Sequence, residues 1–301
     1  MNIFNAIVVG FVQGVAEFLP ISSSGHLVLI YSLLNINGNN FALTIFLHMA
    51  TLFSILYVYR REIWKLITHP LCKTNKLLVV ATIPTVIVAL ILKKFITEAF
   101  SLNFVIFGFI TTALILEIAD YLSQKAVILS TTTEKLPQGD ALLKFQSPTI
   151  TVKNNTIIHE SSPALKNTNS DITNLNIKYF QALIIGAAQG LACFPGISRS
   201  GSTIATGLML KCNKRDVTTF SFLLSIPTIL GSMILAIKDY NSSATPIGSL
   251  SLIVACVVSF VVGIFSINLL LKIVKKQKLC YFSYYLLALV FLILLVKFIA
   301  R

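Results

Sequence analysis

The sequence predicts an all-α polytopic membrane protein, an inverted-topology repeat with six transmembrane helices and two re-entrant helix pairs. Three observations carry that expectation. The 301 residues are 55% hydrophobic and only 12% charged, with a mean hydropathy of +0.84, and several apolar runs approach the ~20 residues that cross a bilayer. One polar-tipped stretch occurs twice: Gln13-Gly14-Val15-Ala16-Glu17-Phe18-Leu19-Pro20-Ile21-Ser22-Ser23-Ser24-Gly25-His26-Leu27 returns as Gln189-Gly190-Leu191-Ala192-Cys193-Phe194-Pro195-Gly196-Ile197-Ser198-Arg199-Ser200-Gly201-Ser202-Thr203, 176 residues on, with 8 of 15 positions identical. Three single spans separate the copies, and an odd number of crossings puts the second tip on the opposite membrane face.

The elements follow in order. Residues 1–20 are apolar, but Gln13, Glu17, Pro20 and the Ser22–Ser24 run interrupt the pattern before a span is complete, and it resumes at Gly25. Non-helical backbone at membrane depth is tolerated where it is buried in protein or lines a cavity, so 1–35 reads as a re-entrant hairpin. Spans are expected at 41–59, 77–92 and 100–118, completing a first repeat over 1–122. Residues 123–177 are rich in Ser, Thr, Asn and Lys without sustained period and read as a hydrophilic cytoplasmic insertion; within it 149–152 could pair as a strand with 155–158. The second repeat, 178–301, opens with the second tip and continues with spans near 217–237, 250–271 and 279–299. The N-terminus lacks the cations and cleavage site of a removable signal peptide.

The formal charge of +13 does not point to nucleic acid, because the cations sit in short connections between apolar runs. One face collects Arg60, Arg61, Lys65, Lys73, Lys76, Lys211, Lys214, Arg215, Lys272, Lys275, Lys276 and Lys278, and the other Lys93, Lys94, Lys238, Lys297 and Arg301. That asymmetry makes the first face cytoplasmic. The five Cys show no CxxC spacing, so neither a disulfide framework nor a zinc site is indicated.

Glu17 is the acidic residue set well inside an apolar segment, and Arg199 is its basic counterpart. A charge at mid-membrane costs ~2.5–3.5 kcal/mol even on the lenient insertion scale, so a partner and a function are expected. A fold-fixing ion pair explains the charges but not Ser22, Ser23, Ser24, Ser198, Ser200, Ser202 and Thr203 crowding the same tips. Hydroxyls, helix N-termini and an Arg fork are the parts of a phosphate cradle, although a single Ser is more often a helix cap. His26 follows the Ser run and could shuttle a proton; His48 has weaker company. Gln13 shares a helix face with Glu17. Ser22 is placed to cap the next helix and Ser24 precedes Gly25, where the backbone is expected to turn, which leaves Ser23 free for chemistry.

Gln13-x-x-x-Glu17-Phe-Leu-Pro-x-Ser-Ser-x-Gly-His26 and Pro195-Gly-x-Ser-Arg-Ser-Gly-x-Thr203 resemble the two signature motifs of the undecaprenyl-diphosphate phosphatase family, also called bacitracin-resistance proteins. Weaker similarity runs through Leu47-His48-Met49-Ala50-Thr51-Leu52 and Ser221-Phe222-Leu223-Leu224-Ser225-Ile226-Pro227. The resemblance implies six transmembrane helices with two re-entrant pairs, and removal of the terminal phosphate of undecaprenyl diphosphate at the bacterial cytoplasmic (inner) membrane, with the site opening to the outer face. It implies phosphate binding by Arg199 with Ser198 and Thr203, supported by Ser22, Ser24 and Ser200; acid–base or metal-linked work by Glu17; and nucleophilic or proton-transfer roles for Ser23 and His26. It further implies a divalent cation, Mg²⁺ or Ca²⁺, at Glu17 with Gln13 on the same face, although the family often has Glu where this chain has Gln13. Bacitracin is expected to compete for the lipid substrate, and a homodimer is a further expectation. Ser23, His26 or water as attacking group all fit these residues, and a polyprenyl-phosphate transporter or flippase is the rival from another class.

Overall fold

The computed structural model describes residues 1–36, 41–99, 101–134, 172–238, 248–275 and 279–299. These form the helices α1 (Ile3–Ala16), α2 (Ser23–Leu33), α3 (Phe41–Val58), α4 (Arg60–Thr68), α5 (Lys73–Glu98), α6 (Leu102–Glu134), α7 (Tyr179–Leu191), α8 (Arg199–Met209), α9 (Lys214–Lys238), α10 (Ser249–Lys275) and α11 (Cys280–Ile299), with one 3-10 turn at Ile172–Asn174. Among the described residues there is no strand. Five helices, α5, α6, α9, α10 and α11, are long and apolar enough to cross a membrane, and α3 with α4 makes a sixth candidate bent by 78°. The chain is an all-α multi-pass membrane protein.

α1 and α7, with 14 and 13 residues, rise only about 20 Å at 1.5 Å per residue, short of the ~30 Å hydrocarbon core. Each stops where the sequence inserts Pro or Gly with Ser, and a second short helix follows. The starts of α1 and α7, of α2 and α8, and of α5 and α10 all lie 176 residues apart. The halves also exchange partners: α1 lies along α10, and α7 along α5.

Small residues allow that exchange. Gly10 and Gly14 on α1, and Gly186 and Gly190 on α7, stand one helical turn apart on the buried face. A Cβ on Gly10 would strike the Ala255 carbonyl of α10, and one on Gly186 the Ala81 carbonyl of α5; on Gly14 it would lie 2.8 Å from Val262 Cβ and on Gly190 2.7 Å from Val88 Cβ. Such small-xxx-small pairs are how membrane helices reach close backbone contact where lipid supplies no hydrophobic drive.

The structure changes the reading of the central connection. α6 continues to Glu134, past the expected boundary at 122, and Ile172, Leu175 and Ile177 are buried in the core. Thr74 Oγ1 donates to the Ile172 carbonyl at 2.7 Å and Lys73 Nζ to that of Leu175 at 2.9 Å. The ends of the polar stretch therefore belong to the helical body; the strand pair expected at 149–158 lies outside the described residues.

Gly186→Val should lower the thermal midpoint and monodisperse yield in detergent, with an overpacking cost of about 1–3 kcal/mol or more. Gly231→Val on α9 is the control, because nothing lies within 4 Å of a Cβ there. Equal behaviour of the two variants would show that the α7–α5 contact does not need glycine.

Candidate active site

Two tips meet here, and glycine makes the meeting close. A Cβ on Gly25 would press on the Phe109 ring of α6 and come 3.1 Å from Gly196 Cα in the other tip; one on Gly201 would come 3.2 Å from Pro20 Cβ in the first. Gly25 is therefore small for this approach and not for a turn, since it lies inside α2. The positive φ of 87° at Gly196 is the conformation that requires glycine. α6 supports the second tip: Thr112 Oγ1 donates to the Gly196 carbonyl at 3.1 Å and accepts from Ser198 N–H at 2.9 Å.

Ser22 and Ser198 are the N-caps of α2 and α8, accepting from the N–H of Gly25 at 3.4 Å and of Gly201 at 3.1 Å. Ser23 and Arg199 are consequently the first residues of matching helices, and both reach the same carboxylate. Glu17 ends α1 and is buried. Its Oε1 accepts from Arg199 Nη2. Its Oε2 accepts from Ser23 Oγ at 2.6 Å and from Gln13 Nε2 at 3.0 Å. Ser22 holds a positive φ of 68° that its counterpart Ser198 does not, a strain of order 1–3 kcal/mol at a non-glycine residue, placed immediately before Ser23.

The remaining predicted residues have other partners. Ser24 Oγ lies 3.3 Å from Ser22 Oγ. Ser200 Oγ donates to the Leu19 carbonyl at 3.2 Å, tying the second tip to the first. Thr203 is fully buried with its Oγ1 2.5 Å from Ser221 Oγ of α9, so it joins α8 to α9, and it also donates to the Arg199 carbonyl at 3.0 Å. His26 is buried one turn after Ser22, with Nδ1 2.7 Å from the Ser22 carbonyl. A carbonyl only accepts, so Nδ1 carries the proton and Nε2 is left as acceptor. At Nε2 stands the hydroxyl of Tyr285 on α11, 2.9 Å away, its ring stacked on the imidazole at 5.8 Å.

The model of the family described as bacitracin resistance protein BacA matches residues 6–292. The chain belongs to the BacA family. An undecaprenyl-diphosphatase of Alkaliphilus metalliredigens is 35% identical over 95% of each chain. An undecaprenyl-diphosphatase of Carboxydothermus hydrogenoformans is 32% identical over 95% of this chain and 94% of its own. Undecaprenyl-diphosphatase 4 of Bacillus thuringiensis is 33% identical over 99% and 98%.

In this BacA-family chain two residues join the site that sequence reasoning did not place there. His48 of α3 brings Nε2 to 3.5 Å from Glu17 Oε2 while its Nδ1 faces the Thr44 carbonyl at 2.8 Å; the signal was its place in the Leu47–Leu52 similarity. Tyr285 had no signal, because its contact with His26 spans 259 residues. Among the described residues no cluster of three His, Cys, Asp or Glu side chains could hold a metal ion. Mg²⁺, however, is commonly bound through one or two carboxylates plus substrate phosphates. Glu17 and the Gln13 Oε1 atom, buried without a hydrogen-bond partner, fit that smaller requirement.

Arg199→Ala should leave Glu17 as an unpaired buried carboxylate and cost about 3–5 kcal/mol of stability. Adding Glu17→Gln to it should restore much of the thermal midpoint without restoring activity. A double variant as unstable as Arg199→Ala would mean that the pair is not what the carboxylate depends on.

Proposed function

We propose that this chain is an integral membrane undecaprenyl-diphosphatase, hydrolysing undecaprenyl diphosphate to the monophosphate and phosphate and so returning the carrier to cell-wall synthesis. The observation that carries this reading is one buried carboxylate held between a serine hydroxyl and an arginine, each presented at a helix N-terminus. Family membership and the relatives' names favour hydrolysis over transport. The short-loop cations favour a multi-pass protein of the bacterial cytoplasmic membrane with its site toward the outer face, where bacitracin would compete for the lipid diphosphate. Opposed tips, exchanged helix partners and the 176-residue offset support an inverted repeat with re-entrant pairs.

In this mechanism the prenyl chain stays in the bilayer, and the apolar groove of about 390 Å³ between α6, α7 and α8, lined by Phe104, Phe107, Leu191 and Phe194 beside the second tip, suits it. The Arg199 side chain, one-fifth exposed, turns its fork to the terminal phosphoryl oxygens, whose charge the N–H groups opening α2 and α8 also meet. Electrostatic stabilisation of this kind is the main contribution in phosphoryl transfer. Ser23 passes its proton to Glu17 Oε2 and attacks the terminal phosphorus; the bond to the bridging oxygen breaks and undecaprenyl phosphate leaves. Water then attacks the phosphoserine and gives a proton to a nearby base; the Ser23 Oγ–phosphorus bond breaks, Glu17 returns its proton to Oγ, and phosphate departs. Glu17 is the base for Ser23 because it already accepts that hydroxyl. His26, held as the Nδ1–H tautomer, is placed to take a proton in the hydrolytic step, with Tyr285 positioning it. A divalent cation held by Gln13 and Glu17 would supply further charge neutralisation when bound.

Purified protein in detergent should release phosphate from a long-chain prenyl diphosphate. Ser23→Ala should lose ~10²-fold or more in kcat, far beyond Ser22→Ala or Ser24→Ala, as expected for loss of a nucleophile. Tyr285→Phe, which removes one hydrogen bond, should cost about tenfold in kcat with KM little changed, and should add nothing to His26→Ala. Equal losses across the three Ser variants would move the attack to water, and absence of phosphate release would return transport to first place.

A further inference from the structure

α4 has no task in the chemistry, yet the fold holds it firmly. The chain turns by 78° between α3 and α4, so a helix that leaves the end of a span runs across the bundle and not along it. α4 is pinned at its far end: Leu66 is buried, and Asn75 at the start of α5 donates Nδ2 to the Leu66 carbonyl at 2.8 Å and reaches those of Pro70 and His69 at 3.2 and 3.3 Å. The 3-10 turn packs beneath α4.

At 100° per residue the nine positions divide into three arcs. Glu62, Ile63 and Leu66 face the protein. Trp64 and Ile67 form the next arc, 67% and 64% exposed, with Arg60 between them and its guanidinium folded back onto the Tyr57 carbonyl and ring; Leu71 beyond the helix end is 80% exposed. Arg61, Lys65 and Thr68 form the third, also exposed. Large apolar side chains in the open beside a row of cations, on a helix lying across the end of a span, describe a helix seated in the membrane interface. On α4 itself cations predominate, Arg60, Arg61 and Lys65 against Glu62. Lys73 and Lys76 open α5, and α9, whose Asp216 accepts from Asn176 N–H, brings Lys214 to the same end, whereas the carboxylate of Glu62 lies on the inward arc.

We propose that α4 is a docking helix for anionic phospholipid, with Trp64 and Ile67 sunk at the boundary between headgroups and acyl chains and Arg61 and Lys65 holding the headgroup phosphate. The occupant is a bilayer lipid of the surrounding leaflet and not the substrate, since Glu17 and Arg199 belong to other elements. A charged interface strip of this kind favours anionic over zwitterionic lipid by about fivefold per cation at the surface.

Trp64 is the single tryptophan of the chain, so intrinsic fluorescence reports on α4 alone. The intact protein would be reconstituted in equimolar phosphatidylglycerol and phosphatidylcholine, with bromine on the acyl chains of one lipid or the other. Expected is strong quenching in both bilayers, greater when phosphatidylglycerol carries the bromine, by an amount corresponding to local enrichment of about fivefold or more. Arg61→Gln with Lys65→Gln should bring the two quenching levels together while phosphatase activity shows the variant to be folded. Equal quenching in the parent would remove the anionic preference, absence of quenching by either lipid would place α4 off the membrane, and a preference unchanged in the double variant would shift it to other cations; each overturns the proposal.

Discussion

Everything at the centre of this molecule depends on the buried carboxylate of Glu17. An ionised group in an apolar segment is tolerated only with a partner of opposite charge and enough donors to saturate its oxygens. The first half of the chain supplies Gln13, Ser23 and the His48 imidazole beside the carboxylate, but no permanent cation. Arg199 comes from the second half. The two tips must therefore meet, and the contacts around them follow: Gly25 against Gly196, Gly201 against Pro20, Ser200 onto the Leu19 carbonyl, Thr112 under the second tip. A buried ion pair is weak support for stability in itself. Its value here lies in fixing how two similar halves register against one another.

The frame is repeated but the site is not. Gln13 and Gln189 occupy matching places, each donating its amide and each with a buried, partnerless carbonyl. Glu17 is matched by Cys193, and Ser23 by Arg199. The shared Ser22 and Ser198 cap matching helices, whereas Glu17, Ser23 and Arg199, which have no like counterpart, meet at one carboxylate. One centre therefore forms instead of two. Arg199 and Ser23 reach opposite oxygens of Glu17; under the proposed mechanism a phosphoryl group arriving between them would meet the cation and the hydroxyl together.

Much of this was legible in the sequence. The doubled motif located both tips, the cost of charge in apolar surroundings singled out Glu17 and Arg199, and the Pro20-Ile21 break marked Ser22 as the cap of the next helix. Where the reading fell short, the cause was contact across the chain. The spacing of Thr203 says nothing of Ser221, and Tyr285 carries no local sign that it will stand against His26. Gly25 was read as a turn because a sequence shows a glycine's freedom and not the Phe109 ring that its missing side chain admits. The Gly10-x-x-x-Gly14 and Gly186-x-x-x-Gly190 pairs were present in the sequence as a helix-packing pattern and went unread. α4 also escaped hydropathy, which ends the span at 59, close to the end of α3; the cation-rich stretch after it reads as a connection and does not show the helix that buries Leu66.

The account stands on Arg199 as a planar fork that exchanges a carboxylate for a phosphoryl group. Its most direct measurement is turnover of a long-chain prenyl diphosphate at saturating substrate by Arg199→Lys, which keeps the charge but not the fork. The account predicts a loss of about 10²-fold or more, the scale of removing a main electrostatic contact to the reacting group. Turnover close to that of the parent would contradict it.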